Sequence, residues 1–550
     1  MEKSFLAACG RFSRFLVLLI LLLLAPASEG AIRYVNANAG GANNGTSWAN
    51  AFPDLQDALA SSVAGDEIWV AAGIYVPTTG IGRSVFFVLK NGVALYGGFA
   101  GTETTRAQRK WEVNETVLSG NIGAPGSFLD NSYHVVVGSG TNNTAVLDGF
   151  TVTGGNANGS TDDRKRGGGM FNFGGSPTVR NCRFVSNHAD KDGGGMFNYD
   201  GSPVVTNCTF SSNSAGEHGG GMFNWWNASS PVLVNCTFSS NSAHWGGGVC
   251  NYLAGTPKFT GCVFQHNFAS GYGGGMFNSG GGLEMTDSVL SENRAEIHGG
   301  GMFNEGGTRS IEDCTFSQNR AGENGGGMYN QHAFGALTVT NSTFFGNIAI
   351  AGGGIYNWSS SNPVVTNCTF SANDATTGGG MLNTNWSNPD MMNCTFAGNR
   401  SDFGGDALYN RVGSAPAATN CIFWGYTGPG QILNEATASL TITYSITDQA
   451  GAGNIADDPK LGPLADNGGP TRTHALLDGS AALNTGTATG APATDQRGIT
   501  RPQGAGVDIG AFERAGVPPI PFGSGGGGCS VGFSPWTLLL LLPAALLVRR

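Results

Sequence analysis

Charge is scarce in this chain. Asp, Glu, Lys and Arg make up 12% of its 550 residues, about half of the ~25% usual for a soluble domain. The charge that is present sums to −10, which argues against a nucleic-acid partner. Metal-ligand spacing is also missing. There is no C-x-x-C pair and no zinc-like grouping among the 8 histidines. The middle of the chain has no helical periodicity, which excludes a helical bundle or helical repeat. Glycine is plentiful, at 90 residues, and much of it falls in a strict pattern.

The triplet Gly-Gly-Gly followed two residues later by Asn begins at Gly167, Gly193, Gly219, Gly246, Gly273, Gly299, Gly325, Gly352 and Gly378, at steps of 26 or 27 residues. A weaker copy starts at Gly405. A fixed period in this range marks a stacked repeat architecture. In one unit, Gly193 to Ala215, short apolar runs (Met196-Phe197, Val204-Val205, Cys208 with Phe210) are separated by Gly, Asn, Ser and Pro. Short strands bounded by turn residues follow. The expected fold is all-β, a single-stranded right-handed parallel β-helix with about 26 residues and three strands per rung. Neighbouring rungs would lie ~4.8 Å apart.

Stacking turns sequence columns into ladders. Cys182, Cys208, Cys236, Cys262, Ser288, Cys314, Ser342, Cys368, Cys394 and Cys421 form one column, with Phe or Leu two residues on, from Phe184 to Phe423. Residues i and i+2 share a face of a strand, so both columns should point inward. Two unbroken Asn columns, Asn187 to Asn399 and Asn172 to Asn410, read as turn-fixing amide ladders. Ser replaces Cys at two rungs, so the thiol column reads as small buried side chains. Occasional ladder disulfides remain the alternative, although parallel Cβ vectors disfavour them.

The ends carry address labels. Lys3, Arg11 and Arg14 precede the apolar run Phe15 to Leu24, and Ala25-Pro26-Ala27 offers a cleavage site, so residues 1–27 read as a secretory signal. Residues 28–160 read as an N-terminal cap and first rungs, with a short capping helix in Pro53 to Ala60. Regular repeats occupy 161–425, further C-terminal rungs and a distinct motif region 426–515, and a Gly/Pro-rich linker 516–528. The tail, 529–550, holds an apolar run of about 13 residues, short for a ~20-residue membrane span, and ends in Arg549-Arg550.

Several segments resemble known families. Gly45-Thr46-Ser47-Trp48, Gly65 to Gly73 and Leu95 to Glu103 resemble the opening of bacterial pectin-lyase-like β-helix proteins. The repeats, with Phe210-Ser211-Ser212-Asn213, are similar to those of chlamydial polymorphic outer-membrane proteins, though the Gly-Gly-Ala-Ile motif of that family is altered here. Asp466 to Leu476, Asp495-Gln496-Arg497-Gly498 and Val507 to Glu513 look like the choice-of-anchor Q domain. The glycines before Cys529, the apolar run and the basic end resemble the tripartite sorting signals of Gram-negative bacteria. That resemblance implies cleavage near Gly528 or Cys529, a lipid on Cys529 and delivery to the cell surface or outer membrane. A plain membrane anchor is the alternative. No barrel strands follow the repeats, so self-translocation is not expected.

Two candidate sites emerge. Asp162, Asp163, Arg164, Lys165 and Arg166 should stack beside Asp190, Lys191 and Asp192, then Glu217 and His218. Such a cluster suits Ca²⁺ or a uronate if the chain is an enzyme. The competing reading is a solvated turn with surface ion pairs of little worth. No other metal or cofactor is expected. After one Asn ladder come Phe173, Tyr199, Trp225 and Tyr252 on four consecutive rungs. They serve either as packing or as a surface for stacking sugar rings. The first expectation is a binding, adhesive or structural surface protein that contacts polysaccharide or another cell. The second is a polysaccharide lyase or hydrolase.

Overall fold

The computed structural model describes residues 30–124, 126–332, 335–426 and 430–515. The leader through Ala27, the linker over 516–528 and the tail with Gly528 and Cys529 lie outside the described residues. No helix among the described residues is long and apolar enough to cross a membrane.

The repeats stack as a parallel β-helix, and each rung carries four strands, not three. In one rung they are Met196–Tyr199, Val204–Thr206, Thr209–Ser211 and Ser214–Ala215. Each pairs in parallel with its copy one rung on, as Met196 with Met222 and Phe210 with Phe238. The resulting sheets hold 13, 15, 13 and 10 strands among the described residues. The fourth strand, which the sequence merges into a turn, has two residues in this rung and up to five in others, as in Phe268–Tyr272. A sharp corner at Ser212, with φ of 55°, separates it from the third strand.

The glycine triplet is explained by position. Gly193 has φ of 65°, a conformation that penalises any Cβ. A Cβ on Gly194 would lie 2.3 Å from the Ser214 carbonyl oxygen, and one on Gly195 would lie 2.5 Å from that of Gly221. One glycine supplies the turn, and two let adjacent rungs approach.

The Cys and Phe columns point inward as expected, and the Met column joins them. Met196, Val205, Cys208 and Phe210 belong to one core that runs the length of the rod. Phe184, Phe210, Phe238 and Phe264 stack ring on ring at 4.7, 4.8 and 5.0 Å. Leu290 interrupts the stack, and it resumes from Phe316 to Phe423. The nine described cysteines are buried and free. The Cys182 N–H donates to Cys208 Sγ at 3.4 Å, and Cys208 Sγ donates to the Thr206 carbonyl at 3.3 Å. Ser288 makes the same two bonds, accepting from Cys262 N at 3.1 Å and donating to Thr286 O at 2.8 Å. The column therefore asks for a small side chain that both donates and accepts.

Both Asn columns form buried ladders. Asn172 Nδ2 donates to Asn198 Oδ1, and Asn198 Nδ2 to Asn224 Oδ1, each at 2.8 Å. Asn213 donates N and Nδ2 to Asn241 Oδ1 at 3.0 Å and Nδ2 also to the Phe184 carbonyl at 2.9 Å. Beside the Asn187 to Asn399 column the left-handed backbone falls on the residue before each Asn, such as Ser212 before Asn213. An amide that points inward to meet its own copies leaves the turn to the residue before it.

The helix Leu55–Ser61 caps the N-terminal end and buries Leu55, Ala58 and Leu59. Its N-cap is Asp54, whose side chain accepts from Gln56 N at 2.9 Å. At the other end the chain reverses. Leu461–Ala465 pairs antiparallel with Thr473–Leu476, and the segment that follows lies back along the outer face of the Thr-Phe sheet. Asn367 Nδ2 donates to Thr494 O, Asn393 Nδ2 to Asp508 O, and Ala511 N to Thr395 Oγ1. Buried ion pairs hold this strap in shape: Arg501 with Glu513 at 2.8 Å and Arg497 with Asp495 at 2.7 Å.

Candidate functional site

The site lies on the outward face of the Met-Phe-Asn sheet. Alternation sends Met196 and Asn198 into the core and Phe197 and Tyr199 outward. Phe197 is nevertheless only 2% exposed, because columns on either side roof it. On one side stand Phe173, Tyr199, Trp225 and Tyr252, in register on four consecutive rungs. On the other stand Arg166, Asp192, His218 and Trp245, one per rung, and then Tyr272, His298 and Asn324. The three columns form a second apolar layer outside the main core. Cys250 lies outside the thiol column and takes the place of a Phe in the central column.

The charged turn residues are brought together only in part. Arg166 Nε meets Asp192 Oδ2 at 2.7 Å, and Asp192 Oδ1 meets His218 Nδ1 at 2.7 Å. Lys191 Nζ meets Asp162 Oδ1 at 3.1 Å. Asp190 turns away to His188 Nε2 at 3.2 Å, and Asp163 and Lys165 enter no ion pair among the described residues. The Arg166 guanidinium also lies 5.3 Å from the Trp225 ring centre and 5.7 Å from that of Phe197, within cation–π range. His218 stacks on Phe223 at 5.2 Å.

The aromatic row has a definite orientation. Phe173 and Tyr199 stack at 4.7 Å with 13° between planes, so their faces meet along the rod and their edges face solvent. Trp225 breaks the stack, turned 77° from Tyr199. Beside it, Trp226 is 45% exposed, and Phe173 at the head of the row is 53% exposed. A planar ligand therefore meets ring edges at Phe173 and Tyr199 and finds a change of ring orientation at Trp225.

The column that precedes each glycine triplet escaped the sequence reading except at its charged end. Trp245 stacks on Phe277 at 5.1 Å, Tyr272 on Phe303 at 5.0 Å and His298 on Tyr329 at 4.6 Å. Burial there pushes the His298 pKa down and the Tyr329 pKa up. The signal was present as a constant offset from the triplets, hidden by a mixed composition of Arg, Asp, His, Trp, Tyr and Asn.

One ligand-atom cluster stands in this column: Asp192, Glu217 and His218, with atoms within 4.8 Å of one another. It does not fit Ca²⁺. That ion takes six to eight oxygens, whereas this set offers two carboxylates and an imidazole, and Arg166 already neutralises Asp192.

No curated protein matches the chain. Solved structures that match in part include a pectate lyase, 16% identical over 89% of this chain and 98% of that one, with a TM-score of 0.35. Another is the catalytic unit of a GH87 α-1,3-glucanase from Streptomyces thermodiastaticus, 13% identical over 78% and 69%, with a TM-score of 0.42. A third is tailspike protein 3 of bacteriophage CBA120, 11% identical over 76% and 62%, with a TM-score of 0.36. At these identities and TM-scores the likeness carries no conclusion about this chain. The family model described as the right handed beta helix region matches residues 107–290 and 276–446, more than half of the sequence. With its four parallel ladders and 26-residue rungs, this chain belongs to the right-handed β-helix family.

Proposed function

We propose that this protein is an exported rod, held at the cell surface, that binds polysaccharide on the outward face of its first central rungs. One observation carries the reading. Arg166 bonds Asp192, Asp192 bonds His218, and the same guanidinium lies over Trp225, where the aromatic row changes orientation. Donors, acceptors and an aromatic surface thus share one face, as saccharide hydroxyls and apolar ring faces require. In this reading the leader through Ala27 exports the chain, and the tail after Gly528 attaches it. The strap over 456–514, similar to a choice-of-anchor Q domain, closes the C-terminal end.

The test is a panel of acidic and neutral polysaccharides incubated with the purified chain, with retention and chain shortening scored together. Retention without shortening, lost in Trp225→Ala and Arg166→Ala, supports a binder. No retention on any polymer overturns the reading. A lyase or hydrolase is the second reading, favoured by the closeness of Asp192, Glu217 and His218. Shortening abolished by His218→Ala would establish it in place of the first.

A further inference from the structure

On the ten-stranded sheet, away from the aromatic row, a serine, a histidine and a carboxylate stand in hydrogen-bonded sequence. His188 and Ser214 pair in register on adjacent rungs. The residues that follow them, Ala189 and Ala215, are buried, so alternation turns His188 and Ser214 outward, and Asp190 is exposed as well. His188 Nδ1 lies 2.9 Å from Ser214 Oγ, and His188 Nε2 lies 3.2 Å from Asp190 Oδ1. A carboxylate only accepts, so in the neutral imidazole Nε2 carries the proton and Nδ1 accepts from the serine hydroxyl. A nucleophile, a base and the group that orients the base are thus joined within hydrogen-bond reach.

A second His–Ser pair shows what is particular to the first. His244 Nδ1 meets Ser270 Oγ at 3.0 Å on later rungs, yet no carboxylate bonds its other nitrogen among the described residues. His188 and Ser214 also line a cleft of about 460 Å³, together with Phe128, Leu129 and Asn158. Phe128 and Leu129 are 61% and 77% exposed and give the cleft an apolar wall. Asn158 Oδ1 accepts from Arg83 Nη2, which leaves Nδ2 as the group this side chain offers to a bound oxygen.

We propose that Ser214, His188 and Asp190 form a nucleophilic site that hydrolyses a small carboxylic ester with an apolar acyl group. Ser214 Oγ adds to the ester carbonyl carbon as His188 Nδ1 takes its proton. The bond from that carbon to the alcohol oxygen then breaks, and the alcohol leaves with the proton from Nδ1. Water adds to the acyl-serine in the same way and gives its proton to Nδ1. Ser214 Oγ leaves with that proton as the free acid forms. Asp190 touches no reacting atom. It is a positioning residue that holds the Nε2 proton and so keeps Nδ1 turned to the serine. The site does not depend on the saccharide reading.

The experiment incubates the whole chain with an alkyl fluorophosphonate, which phosphonylates an activated serine with loss of fluoride, and maps the adduct by mass spectrometry. Hydrolysis of p-nitrophenyl butyrate is followed alongside. That substrate carries no sugar, so the result is read independently of polysaccharide binding. One adduct per chain is expected, on Ser214, with Ser270 unlabelled. Ser214→Ala and His188→Gln should each slow hydrolysis by roughly 100-fold or more. Asp190→Asn should lower kcat with KM unchanged, a split that a merely structural role would not produce. Melting of Ser214→Ala should match the parent, which separates lost chemistry from lost fold, and the adduct map needs no variant at all. Two results would overturn the proposal. One is no adduct on Ser214, including the case in which Ser270 is labelled instead. The other is hydrolysis by Ser214→Ala at the parental rate.

Discussion

Thr369 donates its hydroxyl to Gln496 Oε1 at 2.6 Å, a bond between residues 127 positions apart. The same Gln496 side chain, fully buried, donates Nε2 to Thr343 Oγ1 and Thr471 Oγ1, both at 2.8 Å. One amide thus fastens the C-terminal strap to two successive rungs of the rod.

Gln496→Ala would strand the buried Thr369 hydroxyl and take one bond each from Thr343 and Thr471, whose hydroxyls still donate to the Arg472 and Asn341 carbonyls. An unpaired buried polar group costs about 1–3 kcal/mol, while the other strap bonds, such as Asn367 to Thr494 and Thr395 to Ala511, stay in place. Hydrogen exchange should quicken across the 471–511 segment while rungs before 340 keep their protection. Equal protection in parent and variant would show that the ion pairs of Asp495 and Glu513 suffice.

Phe210 lies between Phe184 and Phe238, with ring centres at 4.7 and 4.8 Å. Phe210→Ala should destabilise the rod by about 3–5 kcal/mol. Phe210→Asp should do more, because it buries a charge without a partner. Denaturant melts followed by circular dichroism would read both. An Asp variant that melts like the parent would contradict the inward placement.

The thiol column predicts an asymmetry between two small replacements. Cys208→Ser keeps a donor and an acceptor in the geometry already used by Ser288, so its cost should stay below about 1 kcal/mol. Cys208→Ala removes the acceptor for the Cys182 N–H and should cost about 1–3 kcal/mol. Chemical denaturation of the two variants side by side decides it.

Acid should loosen the N-terminal rungs first. Burial lowers the His134 pKa to about 4, from an ordinary 6.5. The unfolded chain then binds more protons than the folded one between these values, so stability falls as pH drops through that window. The full contribution is present above pH 6.5, amounts to roughly 3 kcal/mol at most, and is lost by about pH 4. Asp508 works in the opposite sense, since burial raises its pKa to about 6. Its contribution is present below its ordinary value of 3.8 and is lost as pH rises through about 6. Melting temperatures between pH 4 and 7.5 should fall less steeply on the acid side in His134→Gln.

Much of this molecule was legible in one dimension because each rung touches only its neighbours. A residue and its partner stand 26 to 28 positions apart, so the Cys and Phe columns announced both their pairing and their inward face, and the Asn columns their pairing. The glycine triplet likewise marked its own turn. The fourth strand was less visible, since two residues such as Ser214-Ala215 carry too little pattern to separate from a corner. The outward Trp245, Tyr272 and His298 were harder still, because chemically different side chains share that column and only their offset is constant.

The sequence by itself determined the period, the register and the composition of the core, all of which follow from repetition under close packing. Only the tertiary structure decided which charged residues meet, how the aromatic row is oriented, where the strap lies and which serine meets His188. These depend on single contacts such as Arg166 to Asp192 or Gln496 to Thr369. Nothing repeats there, so no column averages out the accidents of one position, and the geometry of the assembled rungs sets the partner.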